Sequence, residues 1–248
     1  MSAPTRNMFE NLNCIALRTV KYSDSKSILT AFSRQHGRIG LLLPASNTPA
    51  AARQRALALP MSRFDCTVDI KPGRSLHSMR DMRRAGLMPS ASPVKGALSM
   101  FAADLLSSLL REPQADEHLW RFLETWIDEL TEAGPKATAN MHICFMIRLM
   151  HFLGIEPDWS TFSQGCVFDM NDGIFRIVPP LHNRFINPPE AEAAYRLRRI
   201  TATNAKAFAM GRSDRNTILD RLIQYYQIHF PTLGTINSLS VLRTLFDF

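Results

Sequence analysis

The chain of 248 residues has no run of 18 apolar residues with which to cross a bilayer, and its opening segment, MSAPTRNMFENLNC, lacks the apolar core of a secretory signal. A cytoplasmic location is expected. Cysteine is scarce: Cys14, Cys66, Cys144 and Cys166 lie far apart without a CxxC pair. That spacing excludes a disulfide framework and a zinc ribbon, and predicts reduced, mostly buried thiols. Glycine-rich phosphate loops are missing. HGRIG, His36 to Gly40, has two glycines but reads as a hairpin turn. No HExxH or GxSxG pattern occurs, and no two of the seven histidines stand at i, i+4. His142 and His151, nine positions apart, fall on opposite sides of a helix and read as core or boundary histidines. Asp169 and Asp172 flank an Asn171–Gly173 turn and read as backbone caps. With no catalytic constellation, the chain is expected to be a binding protein, not an enzyme, with no metal and no cofactor.

The first third of the chain is short of acidic residues. Residues 1–90 hold 14 Lys/Arg against 5 Asp/Glu, a net of +9, whereas residues 91–248 hold 15 against 17, a net of −2. Charge segregated this way points to an anionic partner such as nucleic acid or a lipid surface.

That basic third has the pattern of a small sheet. Leu12 to Val20, Ser27 to Arg34 and Arg38 to Leu43 are aliphatic, β-branched runs separated by polar turns. Met61 to Ile70 alternates cleanly, with Phe64, Cys66, Val68 and Ile70 on one face. A turn at Lys71, Pro72 and Gly73 leads to a fifth strand, Arg74 to Met82. Ala45 to Leu59 reads as a mobile loop or a short helix. Five short strands in so little chain fit a closed barrel. Arg18, Lys21, Lys26, Arg34, Arg38, Arg53, Arg55, Arg63, Arg74 and Arg80 are threaded through it among Tyr22, Phe32 and Phe64. Backbone charge mixed with stacking surface is what single-stranded nucleic acid requires. Phe32 and Phe64 are expected in the barrel core, and Tyr22, beside Lys21 in a polar turn, is the stacking candidate.

Beyond residue 83 the apolar period changes from 2 to 3.6. Helices are predicted over Pro93–Arg111, Asp116–Glu132 and Pro135–Leu153, the last apolar nearly all round from Met141 onward and therefore central. Gly154 to Pro189 reads as an irregular insertion with extended pieces at Cys166–Phe168 and Ile174–Val178. Further helices are expected at Glu190–Arg199, Asn204–Met210, Asp214–Phe230 and Leu239–Phe246. The expected architecture is α+β and multidomain: a five-stranded barrel over residues 1–82, then an α-helical domain over 83–248 with its insertion at about 154–189.

Ile15 to Gly40, IALRTVKYSDSKSILTAFSRQHGRIG, resembles the opening of the RecO recombination mediators. Their pattern is an apolar strand, a Tyr-x-Asp turn, a second strand ending in Thr/Ser-Arg, and a Gly-Arg. The matching positions here are Leu17, Tyr22, Asp24, Phe32, Ser33, Arg34, Gly37 and Arg38. The FLG of Phe152 to Gly154 before the insertion extends the likeness over essentially the whole chain. The resemblance implies an OB-fold barrel that binds single- and double-stranded DNA in DNA repair, anneals complementary strands and, with RecR, helps RecA replace single-strand binding protein. A nucleoid association follows from that role. It also implies binding of the acidic, apolar C-terminal tail of single-strand binding protein on the helical domain. Arg121 and Arg148 are the candidate contacts, the alternative being ion pairs with Glu124 or a neighbouring acidic helix. Two departures stand out. Many members carry four zinc-binding cysteines in the insertion, whereas this chain has Cys166 alone and resembles metal-free variants. The family's basic run after the third strand is replaced by Leu43-Pro44-Ala45-Ser46, with charge arriving at Arg53 and Arg55.

Three other classes remain open at this stage. An OB-fold RNA-binding protein fits the same barrel. A nuclease would need an acidic metal cluster, which the sequence does not show. A membrane-surface or scaffold protein would need an amphipathic basic helix, whereas these cations lie on predicted strands.

Overall fold

The computed structural model describes residues 8–71, 73–87 and 92–245, so Pro72 of the predicted turn and Phe246 of the last predicted helix lie outside the described residues. The chain divides into two compact units, Met1–Thr131 and Glu132–Phe248.

The first unit is built on β1 (Met8–Lys21), β2 (Lys26–Ser33), β3 (Gly37–Pro44), β4 (Arg63–Ile70) and β5 (Leu76–Arg84). They close into a barrel in the order β1-β2-β3-β5-β4, every pairing antiparallel except β3 with β5. One strand supplies both seams. The first half of β1 pairs with β4 from Met8 to Ile15, and its second half pairs with β2 from Cys14 to Lys21. The strand turns this corner at a bulge between Ala16 and Arg18, the usual device for bending a strand around a barrel. Alternation sends Leu12, Cys14, Leu29, Leu41, Phe64, Cys66 and Val68 into one interior cluster. A hydrogen bond with Cys66, followed by burial, pushes the Cys14 thiol well above its ordinary pKa, leaving it a core residue rather than a nucleophile. All four cysteines are buried and free.

The ambiguous stretch after β3 is a helix, α1 (Pro49–Leu57). Pro49 opens it, and the Thr48 hydroxyl accepts the Ala51 N–H at 3.3 Å. Ala58 at its end joins the barrel interior.

Two long helices complete the unit, α2 (Pro93–Leu109) and α3 (Glu117–Glu132). Asp116 caps α3 by accepting the Leu119 N–H at 2.9 Å. Phe64 occupies the barrel interior as expected, but Phe32 does not. It points outward, is buried, and stacks on Trp120 of α3 with centroids 6.3 Å apart. The alternation of β2 assigns Leu29 and Ala31 to the inside, which leaves Phe32 on the helix-covered wall.

In the second unit a short α4 (Pro135–Thr138) precedes α5 (Met141–Phe152), so the predicted continuous Pro135–Leu153 helix breaks near Asn140. Asn140 is buried and donates to the carbonyls of Ala205 and Phe208 at 2.9 Å each, bonds made from a non-helical cap. All of α5 from Met141 to Ile147 is buried, as its all-round apolarity requires. His142 lies in that core, and burial, with Arg215 second, lowers its pKa to about 3. His151 is exposed and pairs with Glu156 at 2.7 Å.

The insertion contains a three-stranded sheet, β6 (Val167–Asp169), β7 (Ile174–Arg176) and β8 (Phe185–Ile186), in the order β7-β6-β8. Buried Asp169 accepts the Asn171 N–H at 3.0 Å, fixing the Asn171–Gly173 turn. The helices α6 (Pro188–Leu197), α7 (Arg212–His229) and α8 (Ser238–Leu245) follow, while predicted Asn204–Met210 is only a 3-10 turn at Ala205–Ala207. Among the described residues no helix is long and apolar enough to cross a membrane.

Candidate nucleic-acid interface

The barrel wall has a covered part and a bare part, and the predicted cations divide between them. Three face α2 and α3. Arg34 follows β2 and forks onto Glu117, with Nε to Oε2 at 2.8 Å and Nη2 to Oε1 at 2.6 Å. The Arg34 hydrogen bond holds the Glu117 carboxyl below its ordinary pKa, and Glu117 raises that of Arg34 in return. Arg38 on β3 donates through Nη1 to the carbonyls of Ser107 and Leu110 at 2.8 and 2.6 Å, closing the C-terminal end of α2, where a cation is favoured. Burial, then Arg111, lowers its pKa, yet a guanidinium remains charged at neutral pH. Arg63 at the start of β4 forks onto Asp128 at 2.5 and 3.2 Å, with 12% of its side chain exposed. The turn before Arg38 is shaped for the same contact. Gly37 has φ +65°, and a Cβ there would lie 2.0 Å from the Gln114 carbonyl oxygen.

The bare wall carries the rest. Arg18 and Val20 point outward on β1 beyond the bulge, paired across to Thr30 and Ile28 of β2. Lys21, Tyr22 and Lys26 crowd the β1–β2 turn, and the Tyr22 ring is 61% exposed. Ala45 donates to the Ser25 carbonyl at 2.9 Å, and Arg55 to the Ser46 carbonyl at 2.6 Å. These bonds tie the start of the α1 segment, and with it Arg55, to the β1–β2 turn. Lys21 has a fully exposed i,i+3 partner, Asp24, at 3.1 Å. Such a pair is easily exchanged for a phosphate. The side chains of Arg18, Lys26, Arg53 and Arg74 are exposed and make no hydrogen bond or ion pair among the described residues. Arg80 on β5 is exposed, 3.8 Å from Asp81, with its guanidinium 4.1 Å from the centroid of the Phe9 ring.

Sequence reading missed Arg83 and Arg84, two more exposed cations at the end of β5, because it ended that strand at Met82. It missed Phe9 as well. Glu10, Asn11 and Asn13 interrupt the apolar pattern, hiding that β1 begins at Met8.

The two partner candidates are placed separately. Arg121 on α3 pairs with Glu117, one turn back, at 2.9 Å. Arg148 is half-buried on α5. In the second unit α5 also gives Ile147 and Met150 to an apolar groove of about 610 Å³, lined as well by Phe168, Leu222, Arg196 and Arg221. Among the described residues no group of three or more His, Cys, Asp or Glu is arranged to hold a metal ion.

Comparison with known proteins agrees with this layout. Residues 8–86 match the family described as Recombination protein O N terminal, and residues 91–232 match Recombination protein O C terminal. The chain is 35% identical over 241 residues to the DNA repair protein RecO of Porphyromonas gingivalis, covering 94% of this chain and 97% of the relative. It is 31% identical over 239 residues to that of Phocaeicola vulgatus and 29% over 239 residues to that of Bacteroides fragilis, each with 94% and 97% covered.

Proposed function

The chain belongs to the RecO family of DNA repair and recombination proteins, and on that premise we propose that it is a non-enzymatic recombination mediator. It binds single- and double-stranded DNA, anneals complementary strands and, with RecR, assists RecA loading onto strands coated by single-strand binding protein. It acts in the cytoplasm, at the nucleoid. The observation that carries the DNA-binding reading is the bare barrel wall, where Lys21 and Lys26 flank the exposed Tyr22 and Arg18, Arg53 and Arg74 are exposed as well. Phosphates reward such charge through counterion release, and bases reward such a ring through stacking. In this reading the barrel expected over residues 1–82 is the DNA element, with Arg55 and Arg80 as further contacts. Arg34, Arg38 and Arg63 act indirectly, holding the wall to α2 and α3.

The helical residues beyond 83 supply partner surfaces. Arg121 and Arg148 remain the proposed contacts for the acidic tail of single-strand binding protein, and Arg148 shares its helix with the groove residues Ile147 and Met150.

The test is annealing of complementary strands, bare and coated with single-strand binding protein. The protein should accelerate both. Its affinity for single strands should fall roughly 300-fold between 50 and 200 mM salt if about six phosphates are contacted. Arg18→Glu, Lys21→Glu and Lys26→Glu together should abolish both accelerations, and Arg148→Glu only that on coated strands. Salt-independent binding, or binding that survives the triple reversal, overturns the reading.

A further inference from the structure

Phe9 is a large apolar side chain left at the surface of the barrel. It is 51% exposed on the outer face of β1, where an aromatic side chain forgoes most of the benefit of burial. The ring is not idle, since the Arg80 guanidinium lies 4.1 Å from its centroid, and the Arg80 side chain is itself 60% exposed. A flat cation over an aromatic ring, both open to solvent, extends a π surface on which a third planar group can stack.

The register of the closed barrel places this pair at one end of an ordered path. One row of outward residues runs strand to strand from Val20 through Ile28, Leu42, Ser78 and Asp69 to Phe9. Both ends of the row belong to β1. At about 4.8 Å between neighbouring strands the row covers roughly 24 Å of curved wall. Tyr22 and its cations lie just beyond the Val20 end. At the other end, Arg80 pairs across to Thr67 one row away, and Lys71 and Arg74 stand in the turn that follows β4. Two carboxylates are present here, and each is accompanied: Asp69 by Lys71 at 3.1 Å, Asp81 by Arg80 at 3.8 Å. The row has an exposed aromatic at or beside each end, half-buried Ile28 and Leu42 and then Ser78 and Asp69 between, and cations alongside.

We propose that Phe9 and Arg80 form a stacking site for an unpaired base, the far end of a single-strand track that begins at Tyr22 and follows this row around the barrel. The proposal rests on the DNA-binding reading above and adds to it a second anchor, which duplex DNA, with its bases already stacked on one another, has no use for.

The experiment compares full-length Phe9→Ala, Phe9→Leu, Phe9→Trp and Tyr22→Ala variants on three probes: a thymidine oligonucleotide of about 16 residues, one of about 4, and a duplex. Phe9→Ala should weaken the long oligonucleotide about 5- to 150-fold, the worth of one stacked base, and leave the short oligonucleotide and the duplex unchanged. Phe9→Leu, which keeps the apolar bulk and loses the ring, should behave like Phe9→Ala and decides the matter if the alanine variant does not fold. Phe9→Trp should retain binding. Unchanged affinity for the long oligonucleotide in Phe9→Ala or Phe9→Leu overturns the site, as does an equal loss on the duplex. In either of those outcomes Tyr22→Ala still weakens both oligonucleotides if the wider reading is right. If it too changes nothing, the DNA-binding reading falls together with this one.

Discussion

The covered and bare parts of the barrel wall carry the same kind of residue and put it to different use. Under α2 and α3, Arg34, Arg38 and Arg63 each meet a carboxylate or a pair of carbonyls built to receive a guanidinium. On the bare wall Arg18, Lys26, Arg53 and Arg74 meet none among the described residues. The difference teaches that a cation's availability is set by what folds over it. Arg34 and Arg38, the most recognisable arginines of the opening block, are the ones already occupied. Substitutions should therefore separate the two parts, one through stability and the other through DNA.

The largest loss of stability is expected from Gly37→Ala. The left-handed backbone costs a non-glycine residue about 1–2 kcal/mol, and the new Cβ also strikes backbone at Gln114. Urea unfolding should show a loss of about 3 kcal/mol or more. Arg38→Ala comes next. It removes two charge-assisted hydrogen bonds from the end of α2, for which roughly 2–4 kcal/mol is expected by the same measurement. Neither change should alter the salt slope of DNA binding by the folded protein. A fall in that slope with Arg38→Ala would erase the distinction between the two parts.

Acid should sharpen the distinction further. Because Arg34 depresses the Glu117 pKa in the folded chain, the contribution of this pair is present above the ordinary carboxylate range and is lost as pH falls through the depressed value. Glu117→Gln should therefore be less stable than the parent near neutrality and approach it below about pH 4, with an effect smaller than that of Arg38→Ala. A constant difference across pH would show that the pair contributes nothing through charge. The smallest effect on stability belongs to the bare wall: each of Arg18→Glu, Lys21→Glu and Lys26→Glu should move the unfolding free energy by no more than about 0.5 kcal/mol. Each lost phosphate contact should nonetheless reduce the salt slope for single strands by about 0.7.

The barrel was legible in the sequence because alternation is local. Met61 to Ile70 reads directly as Phe64, Cys66 and Val68 inside with Arg63, Asp65 and Thr67 outside. The helical stripes of α2 and α3 were legible for the same reason. The start of β1 was not, since Glu10 and Asn11 satisfy the pleat without announcing it, and with that start went Phe9. α1 was undecided because its alanines and arginines carry almost no apolar stripe, so its helix is fixed by Thr48, Pro49 and packing. On the barrel wall, the basic excess and the exposure of Tyr22 could be read directly, but the pairs 34–117 and 63–128 could not. They join residues far apart in the chain, and composition does not say which acid will meet which base.

The double use of β1 has a consequence for how the protein is made. Its seam with β2 is a hairpin of neighbours, but its seam with β4 is not: Met8 must find Ile70 and Ile15 must find Arg63 before the ring is complete. The β1–β2–β3 meander can assemble as soon as residues 8–44 leave the ribosome, but the last seam waits for β4 and pays the loop-closure entropy of everything between. Ring closure is then the slow event in folding. Until it happens, the outer edge of β1 is an unpaired strand carrying Phe9 and open to a neighbouring chain. Pulse-labelled amide exchange should accordingly find the β1–β4 amides protected last.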